Sequence, residues 1–368
     1  MKILYVTAMN ETINAFLIPH INMLVNKGNE VHCACNINRE IDNSLTEKNV
    51  IYNNICFSRN PLKIKYRQVI CEIKQLYRKN KYDMVHVHTP IAAFLTRFAL
   101  RRENVKIIYT AHGFHFFKGG LRLNWLLYYP LERIAAHWTD KIITINNEDF
   151  ERANKFNLKN NGKVELVHGV GIDPNKYIIN DFNRDAYRES LGVSKNDFML
   201  LILADLNRNK NHKRVIQAVK EINKKNIKIK VICAGEGPLK NKLLQVVDKY
   251  NLQNSIKFLG FRSDVKELVN SSDCVGLFSM REGLPKSLME GMCCGKPLIA
   301  SDIRGCRDLV KNKNIGEIIN PKDYKSIIKG LERIYTNNYN SNLIKKEANK
   351  YSIDKVLKEL EDIYRRLE

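Results

Sequence analysis

Long apolar runs are missing from this chain of 368 residues. The apolar segment at its amino end stops at Val6, and polar Asn10 and Glu11 follow, so it is shorter than the hydrophobic region of a secretory signal. No later stretch approaches the roughly 20 apolar residues that cross a bilayer as a helix. We therefore expect a cytoplasmic protein whose nine cysteines remain free thiols.

Two common kinds of site are missing as well. The sequence has no Gly-x4-Gly-Lys-Ser/Thr motif, which argues against nucleotide hydrolysis by a P-loop. Cys33 and Cys35 would share one face of a strand, and Cys293 and Cys294 are adjacent, but neither pair has a plausible second half for a zinc site. We expect these cysteines to be small buried side chains.

Acidic residues are few relative to basic ones, since 39 Asp and Glu accompany 61 Lys and Arg and leave a net charge of +22. The segment from Arg59 to Lys81 carries eight Lys or Arg and only one acid, Glu72. Its apolar residues recur at helical spacing, at Leu62, Tyr66, Val69, Ile70, Ile73, Leu76 and Tyr77. Three interpretations remain open: a solvated helix packed on a sheet, a contact with an anionic membrane, or a nucleic-acid contact. The lack of a zinc finger and of a basic–aromatic RNA motif disfavours nucleic acid.

Strand-like apolar runs alternate with amphipathic helical segments along almost the whole chain, which predicts an α/β fold with parallel sheets flanked by helices. In the first half the predicted strands are Lys2–Thr7, Glu30–Cys35, Asp83–His88, Lys106–Ala111, Lys141–Ile145 and Val164–Val167. In the second half they are Phe198–Ala204, Lys228–Ala234, Ile256–Leu259, Cys274–Phe278 and Pro297–Ala300. Helices are predicted from about Asn14 to Asn26 and from Ile353 to Leu367.

The alternation is interrupted between Gly171 and Asn196. A chain of this length also fits two domains of about 180 residues each. We therefore predict an N-terminal Rossmann-like domain over residues 1–180, a C-terminal Rossmann-like domain over 181–351, and a final helix over 352–368.

The stretch from Ser279 to Lys296 is the most informative part of the chain. It contains two carboxylates, Glu282 and Glu290, separated by seven residues. Gly283 is a turn residue after a short buried strand, and Pro285 suits the first position of a helix, where its missing N–H costs little. Glu282 is thus expected in a strand-to-helix turn, and Glu290 about one and a half turns into the helix.

The start of this helix suits a phosphate group. The N–H groups of Lys286, Ser287 and Leu288 lack partners within the helix, and they lie at the positive end of its dipole. The carboxylates of Glu282 and Glu290 can accept hydrogen bonds from sugar hydroxyls on either side of a diphosphate. A nucleotide sugar is the ligand class that has this arrangement.

The string around Glu282 and Glu290 resembles the E-x7-E signature of glycosyltransferase family 4, and the resemblance extends over nearly the whole chain. Members of this family are retaining enzymes of the GT-B fold. The resemblance implies two Rossmann-like domains whose parallel sheets face each other across a cleft, and a C-terminal helix that crosses back to the N-terminal domain. The strings Phe114–Lys118 and Asn124–Arg133 resemble those of bacterial capsule and exopolysaccharide enzymes.

The resemblance also implies roles for individual residues. Glu282 would hold hydroxyls of the donor sugar, and Glu290 would hold the nucleotide ribose. His112, in an Ala-His-Gly string after a strand, would contact the donor sugar near the reacting carbon. Lys210 would stabilise the departing diphosphate. His86-Val87-His88-Thr89-Pro90 resembles the family segment on the acceptor side, where structural packing is an equally good interpretation.

Further contacts to the nucleotide follow from the same resemblance. Where the family has a diphosphate-binding arginine this chain has Asp205, and Arg208 is the candidate replacement. Arg262 is a candidate contact of the nucleobase. The remaining predicted donor-binding residues lie in turns and at a helix start: Gly235, Gly237, Gly283, Leu284, Pro285, Lys286 and Ser287.

Neither a metal nor another cofactor is expected. Metal-using glycosyltransferases of the other common fold hold Mg²⁺ or Mn²⁺ with an Asp-x-Asp motif, which this chain lacks. Lys210, Arg208 and the amides of Lys286–Leu288 would stabilise the leaving group instead.

The predicted reaction is transfer of a sugar, with retention at the anomeric carbon, from a nucleotide sugar to an acceptor hydroxyl. UDP is the favoured carrier, and a polyprenyl-diphosphate-linked glycan at the inner face of the plasma membrane is the favoured acceptor. Such an enzyme would make capsule or exopolysaccharide and contact an anionic membrane surface, but not nucleic acid. Two alternatives are a GT-B nucleotide-sugar 2-epimerase and a non-catalytic polyanion-binding protein.

Overall fold

The chain forms two compact units in the computed structural model, which describes residues 1–57, 65–225 and 227–367. Unit 1 comprises Met1–Gly171 and Ile353–Glu368, and unit 2 comprises Ile172–Ser352. The sequence prediction placed these divisions at residues 180 and 351. The first one falls earlier because the N–H of Ile172 donates to the carbonyl of Tyr351 at 2.9 Å, which ties Ile172 into unit 2.

Unit 1 is a parallel α/β sheet with helices. Its strands are β1 (Lys2–Met9), β2 (Glu30–Asn36), β3 (Ile51–Asn54), β4 (Met84–His88), β5 (Lys106–Ala111), β6 (Lys141–Thr144) and β7 (Lys163–Leu166). Its helices are α1 (Asn10–Thr12), α2 (Ile18–Asn26), α3 (Asn43–Thr46), α4 (Tyr66–Asn80), α5 (Pro90–Leu100), α6 (Arg122–Ala136), α7 (Asn147–Ala153) and α16 (Ile353–Arg365). The seven strands are all parallel, in the order β3-β2-β1-β4-β5-β6-β7.

Unit 2 repeats this architecture. Its strands are β8 (Phe198–Leu203), β9 (Ile229–Ala234), β10 (Ile256–Gly260), β11 (Cys274–Leu277), β12 (Leu298–Ser301) and β13 (Gly316–Ile319). Its helices are α8 (Arg184–Ser190), α9 (His212–Ile222), α10 (Lys240–Lys249), α11 (Val265–Ser271), α12 (Lys286–Cys293), α13 (Cys306–Leu309), α14 (Tyr324–Thr336) and α15 (Ser341–Ala348). The six strands are all parallel, in the order β10-β9-β8-β11-β12-β13. The prediction of two Rossmann-like units is confirmed.

The continuous apolar runs become central strands because helices cover both faces of each sheet. All six residues from Ile3 to Ala8 of β1 are buried, and so are all four residues of β11. The reversal in strand order between β1 and β4, and again between β8 and β11, is where open α/β sheets bind ligands at the carboxyl ends of their strands.

The last helix belongs to unit 1, as the family resemblance implied. Its apolar side, formed by Val356, Leu360, Ile363 and Tyr364, is buried in one cluster with Tyr5 and other residues of the sheet. The Tyr364 hydroxyl is hydrogen-bonded to the Tyr5 hydroxyl and lies 2.5 Å from Nδ1 of His86. The carboxyl end of the chain therefore completes the core of the first unit.

The basic helix predicted near Arg59–Lys81 is α4, which begins at Tyr66. Val69, Ile73 and Tyr77 are buried, whereas most of its cations are exposed, as an amphipathic helix requires. Arg59, Leu62 and Lys63 lie outside the described residues. Within the described part of the chain, no helix is both long enough and apolar enough to span a bilayer.

Candidate active site

Lys210 is held at the carboxyl end of β8 by a short 3-10 turn. The turn spans Arg208–Lys210, and the side chain of Asn207 accepts a hydrogen bond from the N–H of Lys210 at 3.2 Å. The next residue, Asn211, has a left-handed φ of 62°, and its side chain donates to the carbonyl of Pro321 at 2.8 Å. The backbone that carries Lys210 is therefore anchored at both ends.

Lys210 and Glu282 come together although 72 positions separate them in the chain. The Lys210 Nζ lies 2.7 Å from Oε1 of Glu282, and the side chains are only 19% and 15% exposed. Two further bonds join their loops: the N–H of Met280 donates to the carbonyl of Asn209 at 2.8 Å, and the Asn209 side chain donates to the carbonyl of Arg281 at 3.0 Å. Both predicted residues thus share one site.

The loop after β12 supports the turn that carries Glu282. Arg304 is 2% exposed, and its Nε donates to the carbonyl of Glu282 at 3.0 Å. Gly305 has a left-handed φ of 73°, and a Cβ there would lie 1.9 Å from the carbonyl oxygen of Gly283. Only glycine fits this close approach, so the two loops are packed backbone against backbone.

Helix α12 begins without a side-chain cap. Pro285 is its N-cap, with an extended ψ of 119°, and the N–H of Met289 donates to the carbonyl of Pro285 at 3.4 Å. The sequence prediction that Pro285 takes the first helical position was therefore wrong by one residue, because its ψ is not helical. The N–H groups of Lys286, Ser287 and Leu288 still lack acceptors within the helix.

Glu290 is a buried carboxylate on α12. The Tyr177 hydroxyl donates to its Oε1 at 2.8 Å, and the Lys286 ammonium is 4.0 Å from the same oxygen. Burial raises the pKa of Glu290 above its usual value, while Tyr177 and Lys286 oppose that rise. A buried acceptor held this way can bind a ligand hydroxyl with its remaining lone pairs.

The predicted glycine turn lies against the loop that follows β8. A Cβ on Gly235 would lie 2.2 Å from the carbonyl oxygen of Ala204, and one on Gly237 would lie 2.6 Å from that of Leu206. Larger residues would therefore displace the backbone between β8 and Lys210. The two glycines shape this edge of the sheet, which is a steric role.

Arg262 is held by a neighbouring acid. It pairs with Asp264 through two hydrogen bonds, one of them 2.7 Å long, and Asp264 also accepts from the Tyr187 hydroxyl at 2.6 Å. The Arg262 guanidinium lowers the pKa of Asp264 to about 2. A nucleobase contact by Arg262 stays a prediction.

The structure does not bring Arg208 to the Lys210–Glu282 pair. Arg208 and Asp205 are both exposed, and neither side chain forms an ion pair or hydrogen bond with another described residue. Arg208 and Lys210 are two residues apart in a helix of three residues per turn, so their side chains leave it on different sides. Replacement of the family arginine by Arg208 stays a prediction.

His112 lies in unit 1, at the end of β5, next to a buried histidine at the end of β4. His88 Nδ1 is 3.0 Å from His112 Nε2, and the two rings are stacked with centroids 5.2 Å apart. Burial lowers the pKa of His112 to about 4 and that of His88 well below its usual value. Both rings are therefore neutral at pH 7, and one must donate to the other.

A strained residue follows His88. Thr89 has φ 62° and ψ 131°, which is unusual for a β-branched residue. Its hydroxyl donates to the carbonyl of His88 at 2.6 Å and accepts from the N–H of Ala8 at 2.9 Å. These bonds hold the ends of β1 and β4 together, so backbone strain lies in the segment that the family resemblance put on the acceptor side and for which structural packing was an equally good interpretation.

Sequence reasoning missed Tyr177, Asn209 and Arg304. Each acts through a contact distant in sequence, on Glu290, Arg281 and Glu282 respectively. The Asp-Pro pair at residues 173–174 signalled the turn that carries Tyr177, but it did not indicate the partner of the hydroxyl. Nothing in the local pattern around Arg304 separates it from a surface arginine.

Metal ligands are not grouped in the part of the chain that the structure describes: no three His, Cys, Asp or Glu side chains there could hold an ion together. A reaction without metal stays a prediction. The nine cysteines are all free thiols, of which Cys56 and Cys71 are exposed.

Comparisons with known proteins match both units. The family model "Glycosyl transferases group 1" covers residues 183–351, and the model "Glycosyl transferase 4-like" covers residues 2–146. EpsD of Bacillus subtilis (strain 168), which is named as a glycosyltransferase, is 33% identical over 371 residues, or 99% of this chain and 96% of its own length. The UDP-Gal:alpha-D-GlcNAc-diphosphoundecaprenol alpha-1,3-galactosyltransferase of Escherichia coli is 30% identical over 314 residues, or 83% of this chain and 81% of its own.

The fold is also that of solved enzymes. The structure of Alr3699/HepE from Anabaena in complex with UDP and glucose superposes with a TM-score of 0.79 at 17% identity, and the match covers 100% of both chains. Sequence and fold agree across both units. The chain therefore belongs to the group 1 glycosyl transferases, the family 4 enzymes of the GT-B fold.

Proposed function

We propose that this glycosyltransferase moves a sugar from a UDP-sugar to a hydroxyl of a lipid-linked glycan, with retention at the anomeric carbon. The observation that carries the proposal is the Lys210–Glu282 pair, together with the uncapped start of α12 that follows Glu282 in the chain. A cation, backbone N–H donors and two carboxylates are the groups that a sugar diphosphate needs. The lipid-linked acceptor is supported by the name of the Escherichia coli relative, which acts on a diphosphoundecaprenol-linked sugar.

In the proposed reaction, the bond between the anomeric carbon and the diphosphate oxygen breaks, and a bond to the acceptor oxygen forms on the same face. The acceptor proton passes to the leaving phosphate oxygen. Lys210 and the amides of Lys286, Ser287 and Leu288 stabilise the charge that develops on the diphosphate. Glu282 orients the donor sugar, and Glu290 binds the ribose.

His112 is proposed to contact the donor sugar near the reacting carbon. Its bond to His88 leaves Nδ1 of His112 as the ring atom available to a ligand. Because His112 is neutral at pH 7, it can serve as a hydrogen-bond donor or acceptor without adding charge beside the leaving group.

We further propose a role in capsule or exopolysaccharide synthesis at the inner face of the plasma membrane. Support comes from the strings Phe114–Lys118 and Asn124–Arg133 and from the cationic side of α4, which suits an anionic surface. The same cations would bring the enzyme to an acceptor that is anchored in the bilayer.

A donor screen followed by kinetics tests the reaction. A UDP-sugar at 100 times its Kd should stabilise the protein by about 2.7 kcal/mol in a thermal-shift assay, and GDP- and dTDP-sugars should do less. With that donor, Glu290→Ala should raise donor KM, whereas Glu282→Ala and Lys210→Ala should chiefly lower kcat. NMR of the first product should show the donor's anomeric configuration. Unchanged turnover in all three variants, or an inverted product, would contradict the assignment.

A further inference from the structure

Helix α6 carries apolar residues on the side that faces solvent as well as on the side that faces the core. Trp125 and Tyr129 pack against the core cluster of unit 1. On the outer side, Leu123, Leu126, Leu127, Leu131 and Ile134 are 62%, 73%, 52%, 41% and 49% exposed. Their spacing of three and four residues places them in one stripe, which we call the outer stripe. A helix that is apolar all round normally lies inside a protein or in a lipid phase.

The outer stripe continues into an apolar groove. The groove has a volume of about 590 Å³ and is lined by Ile70 of α4, Phe94 and Phe98 of α5, and Leu131 and Ile134 of α6, among others. An exposed apolar surface that is continuous over three helices is unusual for a monomer and marks a site of interaction with protein or membrane.

The charges beside the stripe are positive. Arg122 and Arg133 on α6 and Lys118 just before it are exposed. The single acid of α6, Glu132, is buried, and its Oε2 lies 2.7 Å from Arg97. The stripe is therefore bordered by cations, and α6 presents no carboxylate to solvent among its residues.

These charges select the occupant. In a symmetric dimer formed through this stripe, the cations of one copy would meet those of the other, with no carboxylate of α6 to neutralise them. An anionic bilayer offers phosphate headgroups to the cations and acyl chains to the leucines at the same time. The bilayer is thus the partner that matches both properties.

The length of α6 decides its orientation. Its 15 residues span about 22 Å at 1.5 Å per residue, which is short of the roughly 30 Å hydrocarbon core. The helix can therefore lie in the plane of the interface with its leucines buried about 5–10 Å deep, but it cannot cross.

We propose that the outer stripe of α6 and its groove insert into the surface of an anionic membrane, and that Lys118, Arg122 and Arg133 bind the headgroups. This inference rests on the proposed lipid-linked acceptor and adds the surface through which the enzyme meets the bilayer. The cationic side of α4 contributes attraction at longer range, and α6 supplies the apolar anchor.

Vesicle flotation tests the proposal. The full chain should float with phosphatidylglycerol-containing vesicles at low salt and bind pure phosphatidylcholine vesicles at least tenfold more weakly. Leu126→Glu should weaken binding to the anionic vesicles at least tenfold, because it removes a leucine that would insert into the bilayer and puts a negative charge in its place. Leu244→Glu, at a leucine 38% exposed on α10 of unit 2, should bind like wild type.

A second pair of variants tests the charge. Arg122→Gln should weaken binding about fivefold, as expected for one cation near an anionic leaflet. Lys242→Gln, which removes an exposed cation from α10, should have little effect. Equal binding by wild type and Leu126→Glu, or no binding by wild type, would overturn the proposal.

Two controls separate this inference from its alternatives. If sedimentation without vesicles shows a dimer that Leu126→Glu dissociates, the stripe is covered by a second copy and the membrane proposal is wrong. Binding of the UDP-sugar by Leu126→Glu, measured by thermal shift, should equal that of wild type. If wild type does not bind the UDP-sugar, the proposed reaction is wrong, whether or not the protein floats with the vesicles.

Discussion

The ion pair between Lys210 and Glu282 joins two groups to which the proposed reaction gives different partners, the diphosphate and the donor sugar. Glu282→Gln would remove the charge that holds Lys210 and keep a side chain of the same shape. We expect UDP to bind more tightly to Glu282→Gln than to wild type, by about tenfold or less. In the variant, Lys210 can bind the diphosphate without first losing an ion pair with a carboxylate. Turnover should fall at the same time, since a neutral amide orients the sugar less well. Calorimetric titration with UDP and initial rates measure the two effects.

Net charge needs its own control in this experiment. Glu347→Gln removes an acid that is paired with Lys350 on the surface of unit 2. It should leave both UDP affinity and turnover unchanged. If Glu282→Gln bound UDP more weakly than wild type, the carboxylate would be a ligand of the nucleotide and its proposed role would be wrong.

The hydrogen bond from Tyr177 to Glu290 leads to a second prediction. Tyr177→Phe leaves a buried carboxylate without this donor, which should lower the free energy of unfolding by about 1–3 kcal/mol and raise the pKa of Glu290 further. Donor KM should therefore rise, and more strongly at pH 5.5 than at pH 7.5, where more of the carboxyl is ionised. Tyr335→Phe, at a tyrosine 40% exposed on α14, is the matched control. Identical KM values for wild type and Tyr177→Phe at both pH values would contradict the role of this bond.

At this scale the sequence identifies residues whose partners are nearby in a motif and misses those whose partners are distant. Glu282 and Glu290 stand in one string, and the family resemblance identified Lys210 after a predicted strand. Arg304 and Tyr177 act on that string from 22 and 113 positions away. Local pattern carries no information about such contacts, because only the packed sheet brings the loops together.

Among the elements, the turn after β11 depends on the backbone contact between Gly305 and Gly283. Gly305→Ala should displace that turn, because its Cβ would lie 1.9 Å from a carbonyl oxygen. Affinity for UDP should fall at least tenfold. Gly28→Ala provides the matched control, since Gly28 has a φ of +80° but nothing within 4 Å of its Cβ position. The free energy of unfolding of Gly28→Ala should fall by only about 1–2 kcal/mol, which is the cost of a left-handed conformation in a non-glycine residue. Its binding of UDP should equal that of wild type. Equal UDP affinities for the two variants would show that the contact is dispensable.

Strands could be predicted where apolar residues were continuous. The edge strands β3 and β13 were missed, although the edge strands β7 and β10 were predicted. Strand β3 is Ile-Tyr-Asn-Asn and lies half in solvent, and β13 begins at a glycine. Asn and Gly are poor strand residues, and edge positions do not require an apolar run. The helix predicted over Asn14–Asn26 is interrupted by a π-helical segment, Ile13–Leu17, which the 3.6-residue period cannot reveal.

The free energy of unfolding of the whole molecule should fall in acid. Burial lowers the pKa of His20 to about 4, below the roughly 6.5 of an unfolded chain. Between these values the unfolded state binds the extra proton, so stability falls as the pH drops from 6.5 towards 4. Between pH 7 and pH 5, the free energy of unfolding of His20→Gln should therefore fall by about 2 kcal/mol less than that of wild type.

Urea unfolding followed by tryptophan fluorescence measures this difference, because both tryptophans, Trp125 and Trp138, belong to unit 1 with His20. His86, His88 and His112 have lowered pKa values for the same reason, so the variant keeps part of the pH dependence. The same loss of stability in wild type and His20→Gln would mean that His20 is not protonated on unfolding in this range.

The return of α16 to the first unit has a consequence for biosynthesis. Tyr364 lies against Tyr5 and His86 in the interior of that unit, yet it leaves the ribosome only after the whole of unit 2. The core of the unit that is made first is therefore completed only after unit 2 has been made. A nascent chain that stops short of α16 would expose the apolar side of its first sheet to chaperones and proteases, so the first unit stays open to them until α16 has been made.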